Sequence, residues 1–311
     1  MSRNYKKLYC WICAPVISLV CVEFILRIVF GFCDAVLYQE SDRYEYIAQP
    51  NQHRYRFFSH IDYNSCSQRS DEPDTTKTII LGLGDSVIFG GTMIDQDSIA
   101  TTLFTEMTGM QMLNISAGSW GPDNCAAYLR EKGTFGAKAM ILVCSSHDAY
   151  DVMSHQPVVG IYPNYPDRQY KLALCELFDR YLLPRVASFF KVGGEPIDPD
   201  AAVVRGKNGV AKKSALFNPG FSELKSISDS LDIPFVVYLH AELPELEVGD
   251  YNEMGQSIIT WAKANKIPLI NGMTNGEQAY MYRDVIHLNE SGQRHLATIF
   301  EQTFMKSISL K

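Results

Sequence analysis

The chain has 311 residues, enough for one large domain or two small ones. Hydrophobic residues make up 46% and charged residues 20%, which fits a globular fold and argues against disorder. The formal net charge is -7, and without a long Lys/Arg run this argues against a nucleic-acid partner, since phosphate binding needs a clustered basic surface. Lys212-Lys213, the only basic pair past the N-terminus, reads as part of a solvated loop.

Arg3, Lys6 and Lys7 precede an apolar run from about Leu8 to Phe32. Its length suits one membrane-spanning helix, since roughly 20 residues cross the hydrocarbon core. Glu23 and Arg27 interrupt the run four residues apart on one helical face, where they can pair, or Arg27 can snorkel to an interface. Both lie near one end, which weighs against a functional charge site inside the membrane. A cleaved signal peptide is an alternative, but no convincing A-x-A site follows the run. A buried core helix is another, and the basic flank speaks against it. The positive-inside rule then puts the N-terminus in the cytoplasm and everything after residue 33 outside it. The lipid bilayer is thus an expected partner, through this helix.

The 8 cysteines do not settle the compartment. Cys10, Cys13, Cys21 and Cys33 fall in or beside the apolar run, while Cys66, Cys125, Cys144 and Cys175 are scattered and lack the paired spacing of a zinc site. One disulfide among the others stays open.

Residues from about 34 to 75 are polar and aromatic without clear periodicity, and read as an irregular connecting arm. From Thr76 strands and helices alternate. TKTIILGLG is a buried strand, residues 96–108 a helix, and QMLNIS a second strand. A helix starts at Pro122-Asp123-Asn124 and stops at Gly133, before the strand KAMILVCSS. Residues from about 153 to 215 break the rhythm as an insertion. It contains an amphipathic helix near 168–190, which Pro184 should end or kink, and then a Gly/Pro/Asp/Lys-rich loop. Beyond it come a helix near 219–231, the strand IPFVVYLH, a helix near 252–265, the strand IPLIN, and a last helix from Glu290 to about Lys306 capped by Asn289. This alternation implies a parallel sheet covered on both faces, with ligands beyond the carboxyl ends of the strands.

Two segments carry chemistry. Gly82-Leu83-Gly84-Asp85-Ser86 follows the first strand. It fails the dinucleotide spacing, because Val87 stands where the third glycine belongs, and no P-loop lysine follows. A serine on a tight strand-to-helix turn exposes its hydroxyl and offers its own N–H to an oxyanion, although it also serves as an ordinary helix cap. Near the other end, Asp284-Val285-Ile286-His287 lets a carboxylate hold one imidazole nitrogen while the other faces a nucleophile. Alone, D-x-x-H is a common chance pattern.

Together the two segments resemble the SGNH (GDSL-type) hydrolase family, over most of residues 76–305. The family's first block stands as Gly84-Asp85-Ser86, and its last as DVIHLNESGQRHLA. The resemblance implies a flavodoxin-like three-layer α/β/α fold and a Ser86, Asp284 and His287 triad. It further implies an oxyanion hole made by the N–H groups of Ser86 and Gly118, the latter in NISAGSWGPDN, where a plain turn glycine is the competing reading. The third block departs. Where the family has G-x-N-D, this chain reads Ser145-Ser146-His147-Asp148, so His147 is the doubtful third donor. E-x-x-x-R late in the membrane helix, then YEYIAQPNQ and YNSCSQRS, looks like a membrane-anchored bacterial subgroup.

The expected protein has a cytoplasmic N-terminus and anchor (residues 1–33), the arm (34–75) and a catalytic domain (76–311). It is a serine esterase acting on an acylated small molecule or an extracytoplasmic glycan, with O-acetyl groups as the first expectation and no cofactor or metal. An O-acyltransferase with the same triad and a non-catalytic glycan-binding protein remain as rivals.

Overall fold

The computed structural model describes residues 3–190 and 214–308. The Gly/Pro/Asp/Lys-rich loop and Lys212-Lys213 lie outside the described residues.

The chain starts with α1 (Arg3–Phe30), whose window Cys13–Phe30 has mean hydropathy 2.2 and is 6% buried, long and apolar enough to cross a membrane. The connecting segment departs from the expected irregular arm. It holds two antiparallel hairpins, β1 (Tyr38–Ser41) with β2 (Glu45–Ala48) and β3 (Gln52–Arg56) with β4 (Ser59–Tyr63). Tyr46, Ile47, Ile61 and Tyr63 are buried in the same core as the main sheet, which explains why so polar a stretch is ordered.

The α/β domain follows in chain order as β5 (Ile79–Gly84), α2 (Ser86–Phe89), α3 (Ala100–Thr108), β6 (Gln111–Ser116), α4 (Pro122–Lys132) and β7 (Ala139–Ser145). The insertion holds α5 (Ala173–Glu176) and α6 (Leu183–Phe190). After it come α7 (Gly220–Leu231), β8 (Phe235–His240), α8 (Leu243–Val248), α9 (Glu253–Ala264), β9 (Leu269–Asn271) and α10 (Glu290–Ile308). The five strands pair in parallel in the order β6-β5-β7-β8-β9. That is the flavodoxin-like arrangement 2-1-3-4-5, with the strand order reversing beside β5.

Alternation along the strands builds two cores. Leu81, Leu83, Leu142 and Val237 face Leu129 of α4, Phe221 of α7 and Ile258 of α9. Ile80, Ile141, Val143 and Val236 face Phe104 of α3 and Phe300 of α10. Both sheet faces are therefore covered, as a parallel sheet requires.

In the insertion, α5 runs through a π-helical stretch, Leu177–Leu182, into α6. Pro184 does not end the helix. A proline frees a carbonyl one turn back, and here the i→i+5 register, with Leu183 N–H donating to Phe178 O, absorbs the mismatch ahead of the ring. The described part of the insertion packs on the hairpins: Tyr38 N–H donates to Pro166 O, and Arg56 pairs with Glu176.

Candidate active site

Strand β5 delivers Ser86. A Cβ on Gly84 would stand 2.4 Å from the Val143 carbonyl oxygen, so only glycine lets β5 leave the sheet this close to β7. Asp85 then caps α2, accepting the Val87 N–H at 2.8 Å through Oδ1. Ser86 becomes the first residue of a four-residue helix, where backbone N–H groups have no helical acceptor and can face an anion.

Three buried side chains fix that short helix. Asn114 of β6 donates to Ile88 O at 3.0 Å. Gln293 of α10 donates to Val87 O at 2.8 Å and accepts the Ala100 N–H at 2.9 Å, tying α2, α3 and α10 together. Arg69, 1% exposed, donates to the carbonyls of Phe89 (2.7 Å), Gly91 (2.6 Å) and Ile94 (2.6 Å) and to Gln96 Oε1 (3.2 Å). Burial pulls its pKa down to about 10.

The loop before α10 brings the other two residues. Asp284 Oδ1 accepts the N–H groups of Ile286 (2.9 Å) and His287 (2.8 Å), while Oδ2 accepts from His287 Nδ1 at 2.8 Å. One carboxylate thus shapes the turn and orients the ring, which is what the D-x-x-H spacing provides. Burial opposes the Asp284 charge, but the His287 ring and the two backbone donors outweigh it and hold the carboxyl well below its ordinary range. With Nδ1 donating, His287 Nε2 accepts from Ser86 Oγ at 3.0 Å. Ser86, His287 and Asp284 therefore stand in hydrogen-bonded sequence across 201 residues of chain.

A buried polar group braces the loop from the end of β8. Glu277 accepts from His240 Nδ1 (2.6 Å), Tyr238 OH (2.8 Å), Ala241 N–H (3.0 Å) and Tyr282 OH (3.2 Å). No sequence motif announces this group, which lies wholly inside the fold.

The Gly118 carbonyl is held by the hydroxyls of Tyr46 (2.8 Å) and Tyr165 (3.2 Å), while its N–H has no hydrogen bond among the described residues. His147 has one ring nitrogen engaged. Glu242 accepts from its Nδ1 at 3.0 Å, and its Nε2 lies 3.9 Å from Asp85 Oδ2 and 4.0 Å from Asp148 Oδ1. Burial opposes the imidazolium, but Asp148, Glu242 and Asp85 outweigh it and raise its pKa to about 10. At those distances from Asp85 and Asp148, Nε2 makes no hydrogen bond among the described residues. Asp85, His147 and Asp148 are also the one grouping, among the described residues, with ligating atoms within 4.8 Å of one another, close enough to share a cation. Cys13, Cys21, Cys33, Cys66, Cys125, Cys144 and Cys175 are free thiols.

No family model matches the chain, and no curated protein matches it. Solved structures share its outline. One is a member of the lipolytic protein G-D-S-L family from Veillonella parvula DSM 2008, at 12% identity and TM-score 0.40, covering 73% of this chain and 98% of that one. The acetyl xylan esterase AlAXEase aligns at 14% identity and TM-score 0.40, covering 73% and 99%. The native M. smegmatis aryl esterase aligns at 13% identity and TM-score 0.39, covering 74% and 99%. These likenesses are loose, and the functional reading rests on the geometry of Ser86, His287 and Asp284.

Proposed function

We propose that the protein is a membrane-anchored serine esterase of the SGNH type. The observation that carries this reading is the unbroken relay from Ser86 Oγ through His287 to Asp284. A serine hydroxyl is inert at neutral pH until a base takes its proton. In the proposed cycle Ser86 Oγ attacks an ester carbonyl carbon while His287 Nε2 takes the hydroxyl proton. Asp284 stabilises the imidazolium and does not itself take the proton. The N–H groups of Ser86 and Gly118 receive the oxyanion. The tetrahedral intermediate collapses, the alcohol leaves with the proton from His287, and water releases the acyl group by the same steps.

In this reading α1 is the anchor, its N-terminus cytoplasmic and the α/β domain outside. Support comes from the length and apolarity of α1 and from the basic residues ahead of it. An O-acyl group, acetyl first, on an envelope glycan is the substrate class that this location and chemistry suit.

The test uses the full chain in detergent. Wild type and Ser86→Ala are compared for p-nitrophenyl acetate hydrolysis and for labelling by a fluorophosphonate. Labelling and hydrolysis that both vanish in the variant support the esterase. Labelling without hydrolysis points to acyl transfer to another hydroxyl. Absence of both in folded wild type sinks the serine mechanism.

A further inference from the structure

We propose that α5, α6 and the π-helical turn between them form a second membrane-embedded element, lying in the outer interface of the bilayer beside α1. The proposal rests on reading α1 as a membrane helix.

The first observation is polarity. A helix packed on a protein in water buries its apolar face and exposes its polar one. This one buries ionic groups beside Ala173 and Tyr181, and leaves most of its large apolar side chains outside. Its inward side carries Glu176, fully buried, and Arg180, 13% exposed, which join Arg56 in a buried ionic group. Its exposed residues include Phe178 (58% exposed), Leu182 (44%), Leu183 (46%) and Val186 (51%), with Leu172 (51%) just ahead of it, alongside the charged Asp179 and Arg185. Apolar side chains so exposed are stable against hydrocarbon and not against water.

The second observation is depth. Glu23 accepts the N–H groups of Ala173 (2.8 Å) and Leu174 (2.9 Å), and also pairs with Arg27 at 2.6 Å. Arg27 in turn donates to Lys171 O. Glu23 lies seven residues before Phe30, so these bonds hold the start of α5 about 10 Å along α1 from its domain end, at 1.5 Å per residue. The apolar window of α1 includes both Glu23 and Arg27. The start of α5 therefore reaches the level of the membrane-spanning segment. The two ionisable residues that interrupt the apolar run fasten this second element to the anchor.

The third observation is a turn. Phe57 and Phe58 link β3 to β4 with φ of 48° and 68°, a left-handed pair that usually calls for Asn-Gly. Placing two phenylalanines there is costly, and a strained turn persists where it serves a contact. Phe58 is 64% exposed and its ring packs 5.6 Å from that of Phe30. Phe58 thus extends the apolar surface at the domain end of α1, while Phe57 packs on Tyr181 of the helix. Continuity with α1 is what selects lipid over a protein partner.

The experiment places the photo-crosslinker p-benzoylphenylalanine singly at Ile17, Phe178, Leu182 or Val248 of the full chain in phosphatidylcholine nanodiscs. Thermal unfolding checks that each variant is folded, and mass spectrometry identifies the adducts. The proposal expects lipid adducts at 17, 178 and 182 and none at 248, where the side chain is 80% exposed on α8. Lipid at 17 without lipid at 178 and 182, or a protein adduct at those two positions, overturns the second element and leaves the anchor standing. No lipid at 17 overturns the anchor and the proposal with it.

Discussion

His240 Nε2 donates to the Ile286 carbonyl at 2.7 Å, one residue ahead of His287. Its Nδ1 faces the Glu277 carboxylate at 2.6 Å. Both partners only accept, so both ring nitrogens donate and the buried ring is an imidazolium. Burial opposes that charge, but Glu277 and the carbonyl outweigh it and raise the pKa. A buried ion pair at the end of β8 thereby sets the height of the loop that carries His287.

Replacing His240 by leucine leaves the Glu277 carboxylate buried without its cation. Breaking such a pair from one side costs about 3–5 kcal/mol. Urea denaturation of His240→Leu should show a loss of that order, and the double variant with Glu277→Gln should recover part of it. Equal losses in the single and double variants would contradict the assignment.

The same pair sets a pH dependence. The His240 pKa is raised, so its stabilisation is complete below the unfolded value of about 6.5 and is lost as pH rises through the folded value. Although burial opposes its charge, Glu277 is held below its ordinary range by His240 and its other donors. Its contribution is complete above about 4.3 and is lost as pH falls through the folded value. The stability gap between wild type and His240→Gln should therefore narrow above about pH 6.5. A gap that widens with rising pH means the ring is neutral.

Arg69 makes no hydrogen bond to a carboxylate among the described residues; the acceptors are three carbonyls and an amide oxygen in the segment after Ser86. Arg69→Met strands those carbonyls, each unsatisfied group costing about 1–3 kcal/mol. We expect a loss of several kcal/mol by denaturation and faster amide exchange in residues 89–94. Arg69→Lys should fall between, since one ammonium cannot reach all four acceptors.

Asp284→Asn keeps the shape of the loop but offers the wrong partner to His287 Nδ1. In the serine-protease template, the corresponding change lowers kcat about 10⁴-fold. Steady-state kinetics of this variant should show a kcat loss approaching that size with little change in KM. A loss confined to KM would argue that Asp284 contacts substrate.

The main sheet is legible in the sequence because each of its strands is a short apolar run bounded by glycine, proline or polar residues, and IILGLG and FVVYLH announce themselves that way. Ser86, Asp284 and His287 are legible because local spacing fixes their local geometry. The hairpins are not, since the usual turn residues are absent at Phe57-Phe58 and much of their burial comes from residues far along the chain, among them Trp120, Tyr165 and Pro166. His240 and Glu277 escape for a related reason: 37 residues separate them, and only the folding of β8 against the loop before α10 brings them together. His147 reads as a donor from its place in a motif, while its surroundings are set by Asp85, Asp148 and Glu242 from three different segments.

The Gln293 amide, shared between Val87 and Ala100, makes the helix of Ser86 depend on a partner 206 residues further along. In the proposed mechanism α10 supplies the clasp on that helix, and the loop just before it supplies the base. A nascent chain that has not yet reached residue 287 therefore holds a serine with nothing to activate it. The proposed chemistry begins only once that segment has emerged and docked.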